Sequence, residues 1–138
     1  MARNKLGKKL VQQVWERAGA RCEYCRWPSA YNVDPMHVEH ILPVSRRGAD
    51  SPDNLALSCA GCNLSKGSEI AAVDPDSGDR VPIFHPRQDR WEEHFSWSLD
   101  GILVVGITPT GRATVVALEL NREALMKLRD AIPAVGNQ

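Results

Sequence analysis

Residues 21–25 read RCEYC and residues 37–67 read HVEHILPVSRRGADSPDNLALSCAGCNLSKG; these two stretches decide the fold. All four cysteines of the chain lie in them, as the pairs Cys22/Cys25 and Cys59/Cys62, with 33 residues between the pairs. Each Cys-x-x-Cys turn presents two thiolates to one ion, and two such turns complete the tetrahedral four-sulfur shell that structural zinc prefers. In a reducing cytoplasm disulfides are the poorer reading. A redox Cys-x-x-Cys, or four unrelated thiols, is the remaining alternative. A rival metal reading takes Cys22, Cys25, His37 and His40 as a two-cysteine, two-histidine finger. Its histidine spacing is one residue shorter than the usual range, and it leaves Cys59 and Cys62 without a role.

Working outward, Leu10, Val11, Val14 and Trp15 recur at helical spacing before Gly19, which predicts a helix over 6–18. Residues 27–35 read as loop, and 36–42 as a short strand ended by Pro43. Polar, turn-rich residues fill 45–54, and 55–58 read as a second strand followed by a helix over about 62–71. DPDSGD at 74–79 is a turn-rich connector. Further on, 88–95 suggests a short helix, and Asp100-Gly101 between 96–99 and 102–107 suggests a two-residue hairpin. Helices are expected over 110–120 and 122–132.

A chain of 138 residues has the length of one ordinary domain. One domain over 1–138 is therefore expected, of α+β class, with a metal-stapled core at about 20–71 and a C-terminal extension at about 80–135 packed on it. With 43% hydrophobic and 25% charged residues, composition excludes collagen-like, coiled-coil and largely disordered chains. No apolar run approaches the roughly 20 residues that span a bilayer, and MARNKLGKKLVQQV lacks the features of a secretory signal. The expectation is a cytoplasmic protein with no membrane partner.

Charge is balanced overall, 17 basic against 17 acidic side chains, but unevenly spread. Residues 1–26 hold seven basic side chains, including Arg3 and Lys5, against Glu16 and Glu23, a balance of +5; residues 72–100 carry seven acidic against three basic, −4. A nucleic-acid surface, if present, belongs to the N-terminal half, although charge of this size decides nothing by itself.

Cysteine pairs, Glu39-His40, the Gly48 loop, Asn54-Leu55 and Cys62-Asn-x-x-Lys66 follow in an order that resembles the HNH endonucleases. These belong to the His-Me, or ββα-metal, finger nucleases, and the likeness is to the subgroup with a four-cysteine zinc site. It covers about residues 21–67. The resemblance implies a ββα-metal finger and metal-dependent hydrolysis of DNA phosphodiesters, leaving 5′-phosphate and 3′-hydroxyl ends. It implies His40 as general base, Asn54 as the residue that pins the loop and orients the histidine, and Glu39 with Asn63 as ligands of a divalent ion. Histidine suits the base role because its ordinary pKa lies near 6.5. Many members carry aspartate in place of Glu39 and a third histidine in place of Asn63, which makes this an HNN-type site. Its oxygen-rich donors favour magnesium or manganese.

Strand alternation sends Glu39 and His40 to opposite faces unless the strand ends or twists there, and Pro43 suits an early end. His37 falls on the Glu39 face and is a possible further contact to the ion or a phosphate. Arg46, Arg47 and Lys66 are candidate phosphate contacts. His85 and His94 read as structural, beside a packing cluster of Trp91, Phe95 and Trp97, with Arg87 or Arg90 as a less favoured addition to a substrate surface. A catalytically silent zinc module that binds DNA or a protein partner is the alternative function.

Overall fold

The computed structural model describes residues 6–133. Arg3 and Lys5 of the basic N-terminal run, and residues 134 and 135 of the expected extension, lie outside the described residues.

Helix α1 (Lys8–Arg17) precedes the first cysteine pair. Strand β1 (His37–His40) pairs antiparallel with β2 (Leu55–Ser58), His37 opposite Ser58 and His40 opposite Leu55. Helix α2 (Ala60–Lys66) follows directly and packs on β1, so residues 37–66 form a ββα unit. Every residue of β2 is buried, for a reason visible in the packing. Leu55 and Leu57 meet Val14 of α1 on one face, while Ala56 joins the cluster that holds the four cysteines on the other. A strand covered on both sides reads as a continuous apolar run.

The expected α2 differs at both ends. It starts at Ala60 because Cys59 caps it, its Sγ accepting from Cys62 N at 3.5 Å. It stops at Lys66 because Gly67 turns out of the helix, and residue 71, expected in that helix, opens a strand. That strand, β3 (Ala71–Val73), pairs with β4 (Arg80–Pro82) across the DPDSGD connector. Asp74 opens the turn of that connector, its carbonyl accepting from Gly78 N at 2.8 Å, and its side chain is fully buried, taking two 2.9 Å bonds from the Arg112 guanidinium.

The short helix expected over 88–95 is confined to α3 (Trp91–His94), because His85 Nδ1 accepts the Arg87 and Gln88 amides at 3.2 Å and bends that stretch. Strands β5 (Phe95–Trp97) and β6 (Val104–Gly106) form the expected hairpin. Its loop is longer than two residues, since Ser98 N still bonds Leu103 O at 2.9 Å and Gly101 N closes a turn on Ser98 O. Helices α4 (Pro109–Ala117) and α5 (Glu123–Ala131) complete the described chain.

One buried cluster runs from Cys22, Tyr24 and Trp27 through Phe84, Trp91 and Phe95 to Leu118 and Leu125, joining the ββα unit to the residues after it. Trp91 lies 4.9 Å from Phe95 and 5.5 Å from Trp97 between ring centroids, the expected aromatic group. Its indole also donates to Tyr24 O at 2.9 Å, between the cysteines of the first pair.

Candidate active site

The four sulfurs lie within 4.8 Å of one another, and Cys25 Sγ is 3.7 Å from Cys59 Sγ. Tetrahedral zinc with bonds of about 2.3 Å holds its sulfurs about 3.8 Å apart. The cluster can therefore hold one ion of the zinc type. Backbone amides already face the sulfurs in the manner of a metal-binding turn: Cys25 N donates to Cys22 Sγ at 3.4 Å, and Cys62 N to Cys59 Sγ at 3.5 Å. Neither His37 nor His40 is in the group.

Beyond β1 the chain is gathered around Asn54. Its Oδ1 accepts from Leu42 N at 2.8 Å, and its Nδ2 donates to the carbonyls of Leu42 and Ala49, each at 3.0 Å. Gly48 passes so close that a Cβ would come within 1.7 Å of Leu42 O and 2.8 Å of Asn54 Nδ2, so only glycine admits this approach. The loop this creates delivers Asp50 to His40, Oδ1 to Nε2 at 2.7 Å. An ionised carboxylate can only accept, so opposite it the neutral imidazole keeps its proton on Nε2 and its lone pair on Nδ1.

Glu39 leaves β1 on the other side and is buried. Tyr24 Oη donates to its Oε1 at 2.8 Å, and Lys66 Nζ lies 3.4 Å from its Oε2 while donating to Ile41 O at 3.0 Å. Burial pushes the Glu39 carboxyl above its usual range, opposed by the Lys66 charge and the Tyr24 hydroxyl. Burial, and then the Glu39 charge, hold the Tyr24 phenol well above its own range, so it stays a donor. Asn63 is half-buried, one helical turn before Lys66 and thus on the same side of α2.

Residues 22–69 match the model of the HNH endonuclease family. This segment is an HNH endonuclease domain. The chain is also 29% identical over 102 residues to the "Retron Vc95 putative HNH endonuclease" of Vibrio cholerae serotype O1 biovar El Tor, a match covering 70% of this chain and 47% of that protein. The chain thus spans about half the length of that curated relative. No solved structure matches it.

The HNH domain brings together some of the expected side chains and separates others. Asn54 pins the loop that carries Asp50 to His40 at the end of β1, and Glu39 meets Lys66 of α2, one helical turn after Asn63, so Glu39 and His40 take separate partners. His37 stands at the exposed start of β1. Arg46 and Arg47 are exposed, Arg46 Nε donating to Ser68 O at 3.1 Å. Lys66, expected at a phosphate, is only 2% exposed, because its ammonium is turned in to Glu39 and the Ile41 carbonyl. Arg87 is paired with Glu23, whose Oε2 also accepts from Leu57 N at 2.9 Å; this ties the first cysteine turn to β2. His85 and His94 serve structure, His94 Nδ1 meeting Thr108 Oγ1 at 2.6 Å. Tyr24 and Asp50 were not singled out from sequence, and nothing local signals either: a tyrosine inside a cysteine turn and an aspartate in a polar loop are ordinary. Among the described residues no helix is long and apolar enough to cross a membrane.

Proposed function

We propose that this chain is a metal-dependent DNA endonuclease of the HNN type, working in the cytoplasm as one domain over 1–138. The observation that carries the reading is His40 held by Asp50 at the end of a strand whose loop Asn54 pins. In the reaction, a water molecule attacks the scissile phosphorus as its proton passes to His40 Nδ1. The bond to the 3′ oxygen breaks, and that oxygen takes up a solvent proton, leaving 5′-phosphate and 3′-hydroxyl ends. Asp50 fixes the tautomer and stabilises the imidazolium as it forms.

Glu39 and Asn63 would hold the divalent ion, magnesium or manganese. Their donors fit, since each is oxygen-bearing, and each Glu39 oxygen keeps a lone pair beyond its bond to Tyr24 or contact with Lys66. When bound, the ion supplies charge stabilisation to the phosphate transition state. Lys66 anchors Glu39 and neutralises it, so little protein charge is left for a dication and its affinity should rise once DNA phosphate is present. Cys22, Cys25, Cys59 and Cys62 hold a structural zinc that staples β2 and α2 to the first cysteine turn. Arg46 and Arg47 contact flanking phosphates, with His37 a further possible contact at the rim. A protein of zero formal charge should bind DNA with a modest salt slope.

The test is supercoiled plasmid incubated with the zinc-loaded protein and magnesium or manganese. Nicking by wild type that His40→Ala abolishes, with its circular dichroism unchanged, supports the enzyme. Absence of cleavage with either metal favours a silent binding module, and cleavage of RNA but not DNA changes the substrate class.

A further inference from the structure

Arg122 lies outside the family-matched segment, in the residue that precedes α5, yet its guanidinium reaches the second cysteine pair. Nη2 donates to Cys59 Sγ at 3.2 Å and Nη1 to Cys62 Sγ at 3.6 Å. Nη1 is held in turn by Glu119 O at 3.1 Å and Leu118 O at 3.4 Å, where α4 ends. A second observation points to the same contact. Gly61 sits within α2, where glycine is the poorest choice other than proline. A Cβ on it would come within 2.5 Å of Arg122 Nη2 and 2.7 Å of Cζ. The glycine is the clearance through which the arginine reaches the sulfurs.

Four thiolates around a dication leave a net charge of −2 among side chains that are almost wholly buried. A buried anion of this kind needs compensation. Charge-assisted N–H···S bonds from a guanidinium supply half of it and draw electron density from the two sulfurs. We infer that Arg122 is a charge-balancing, positioning residue of the metal centre, delivered by the C-terminal extension, and that Gly61 exists to admit it. The zinc is then retained jointly: the HNH domain gives the ligands and the extension gives the countercharge. This inference rests on the four-sulfur zinc reading above.

The experiment uses the full chain. Zinc content is measured first; a wild-type protein without zinc overturns the four-sulfur reading and this inference together. Transfer of zinc to a chromophoric chelator is then followed for wild type, Arg122→Gln and Asn121→Ala. Asn121 bonds both the amide and the carbonyl of Val104, so its loss loosens the same segment without touching sulfur. Arg122→Gln should release zinc about tenfold faster than wild type, the scale of an outer-shell metal contact, and clearly faster than Asn121→Ala. In cobalt-substituted protein the sulfur-to-metal charge-transfer band should move to lower energy in Arg122→Gln alone. Gly61→Ala should speed release in the wild-type background but not in Arg122→Ala, where the colliding group is gone and alanine suits the helix better. Equal release from Arg122→Gln and Asn121→Ala with an unmoved cobalt band, or a Gly61→Ala effect that is the same in both backgrounds, would overturn the inference.

Discussion

Asp50→Asn removes the negative charge that faces His40 while keeping an oxygen that can accept the Nε2 hydrogen bond. The tautomer is preserved, so the variant isolates what the carboxylate does for the imidazolium that forms as water is deprotonated. Two unit charges about 4 Å apart attract by about 1 kcal/mol in water and about 4 kcal/mol at an effective dielectric near 20. The His40 and Asp50 side chains are 14% and 38% exposed, between those limits, which sets the loss at about 2 kcal/mol. That is a fall of about 30-fold in the rate of the chemical step. Single-turnover nicking of supercoiled plasmid measures it, with magnesium titrated in each variant. The magnesium concentration for half-maximal rate and the melting temperature should stay near wild type, and His40→Ala should lose far more. A rate within about twofold of wild type would refute the coupling. A variant as inactive as His40→Ala would also refute it, because Asp50 would then be doing more than balancing charge.

Other expectations address the scaffold. Lys66→Met leaves the Glu39 carboxylate buried without its cation, and breaking a pair of this kind costs about 3–5 kcal/mol; urea unfolding at neutral pH reads it, and a loss below about 1 kcal/mol would mean that the pair is dispensable. Asp74 is held below the ordinary carboxylate value of 3.8 first by its hydrogen bonds from Arg112. Its stabilisation is therefore present above about pH 4 and lost as pH falls through and below that value, so the gap between wild type and Asp74→Asn in urea should narrow on acidification. A gap that widens would reverse the sign of the argument. Cys59→Ser removes a sulfur of the four and the cap of α2 together; zinc content and circular dichroism should fall together, since structural zinc contributes directly to folding.

What the sequence made legible was local. Leu55–Ser58 was read with the bounds the structure gives β2, because an apolar run between turn signals has few other readings. The cysteine pairs announced their own meeting, and Trp91, Phe95 and Trp97 gathered as their apolar area required. The misreadings came from partners distant in sequence. The turn at Asp74 was legible, but its burial against Arg112 was not, because nothing near it in sequence reveals that partner; Lys66 looked like a phosphate contact because Glu39 lies 27 positions earlier. Asp50 reaches His40 only because Gly48 and Asn54 fold the loop back, and a polar loop carries no mark of which aspartate it will turn inward. The end of α2 was misplaced because Gly67 turns the chain out of the helix and residues 71–73 are claimed by a hairpin whose other strand starts at Arg80.

Two ions with separate duties are the centre of the account, and anomalous diffraction from crystals of the protein bound to an uncleaved DNA oligonucleotide in manganese tests this most directly. The expected map has zinc signal among Cys22, Cys25, Cys59 and Cys62, and manganese signal at Glu39 and Asn63 against a DNA phosphate, with the His40 imidazole facing that phosphate. Zinc captured by His40, or manganese seated away from Glu39 and Asn63, would contradict it.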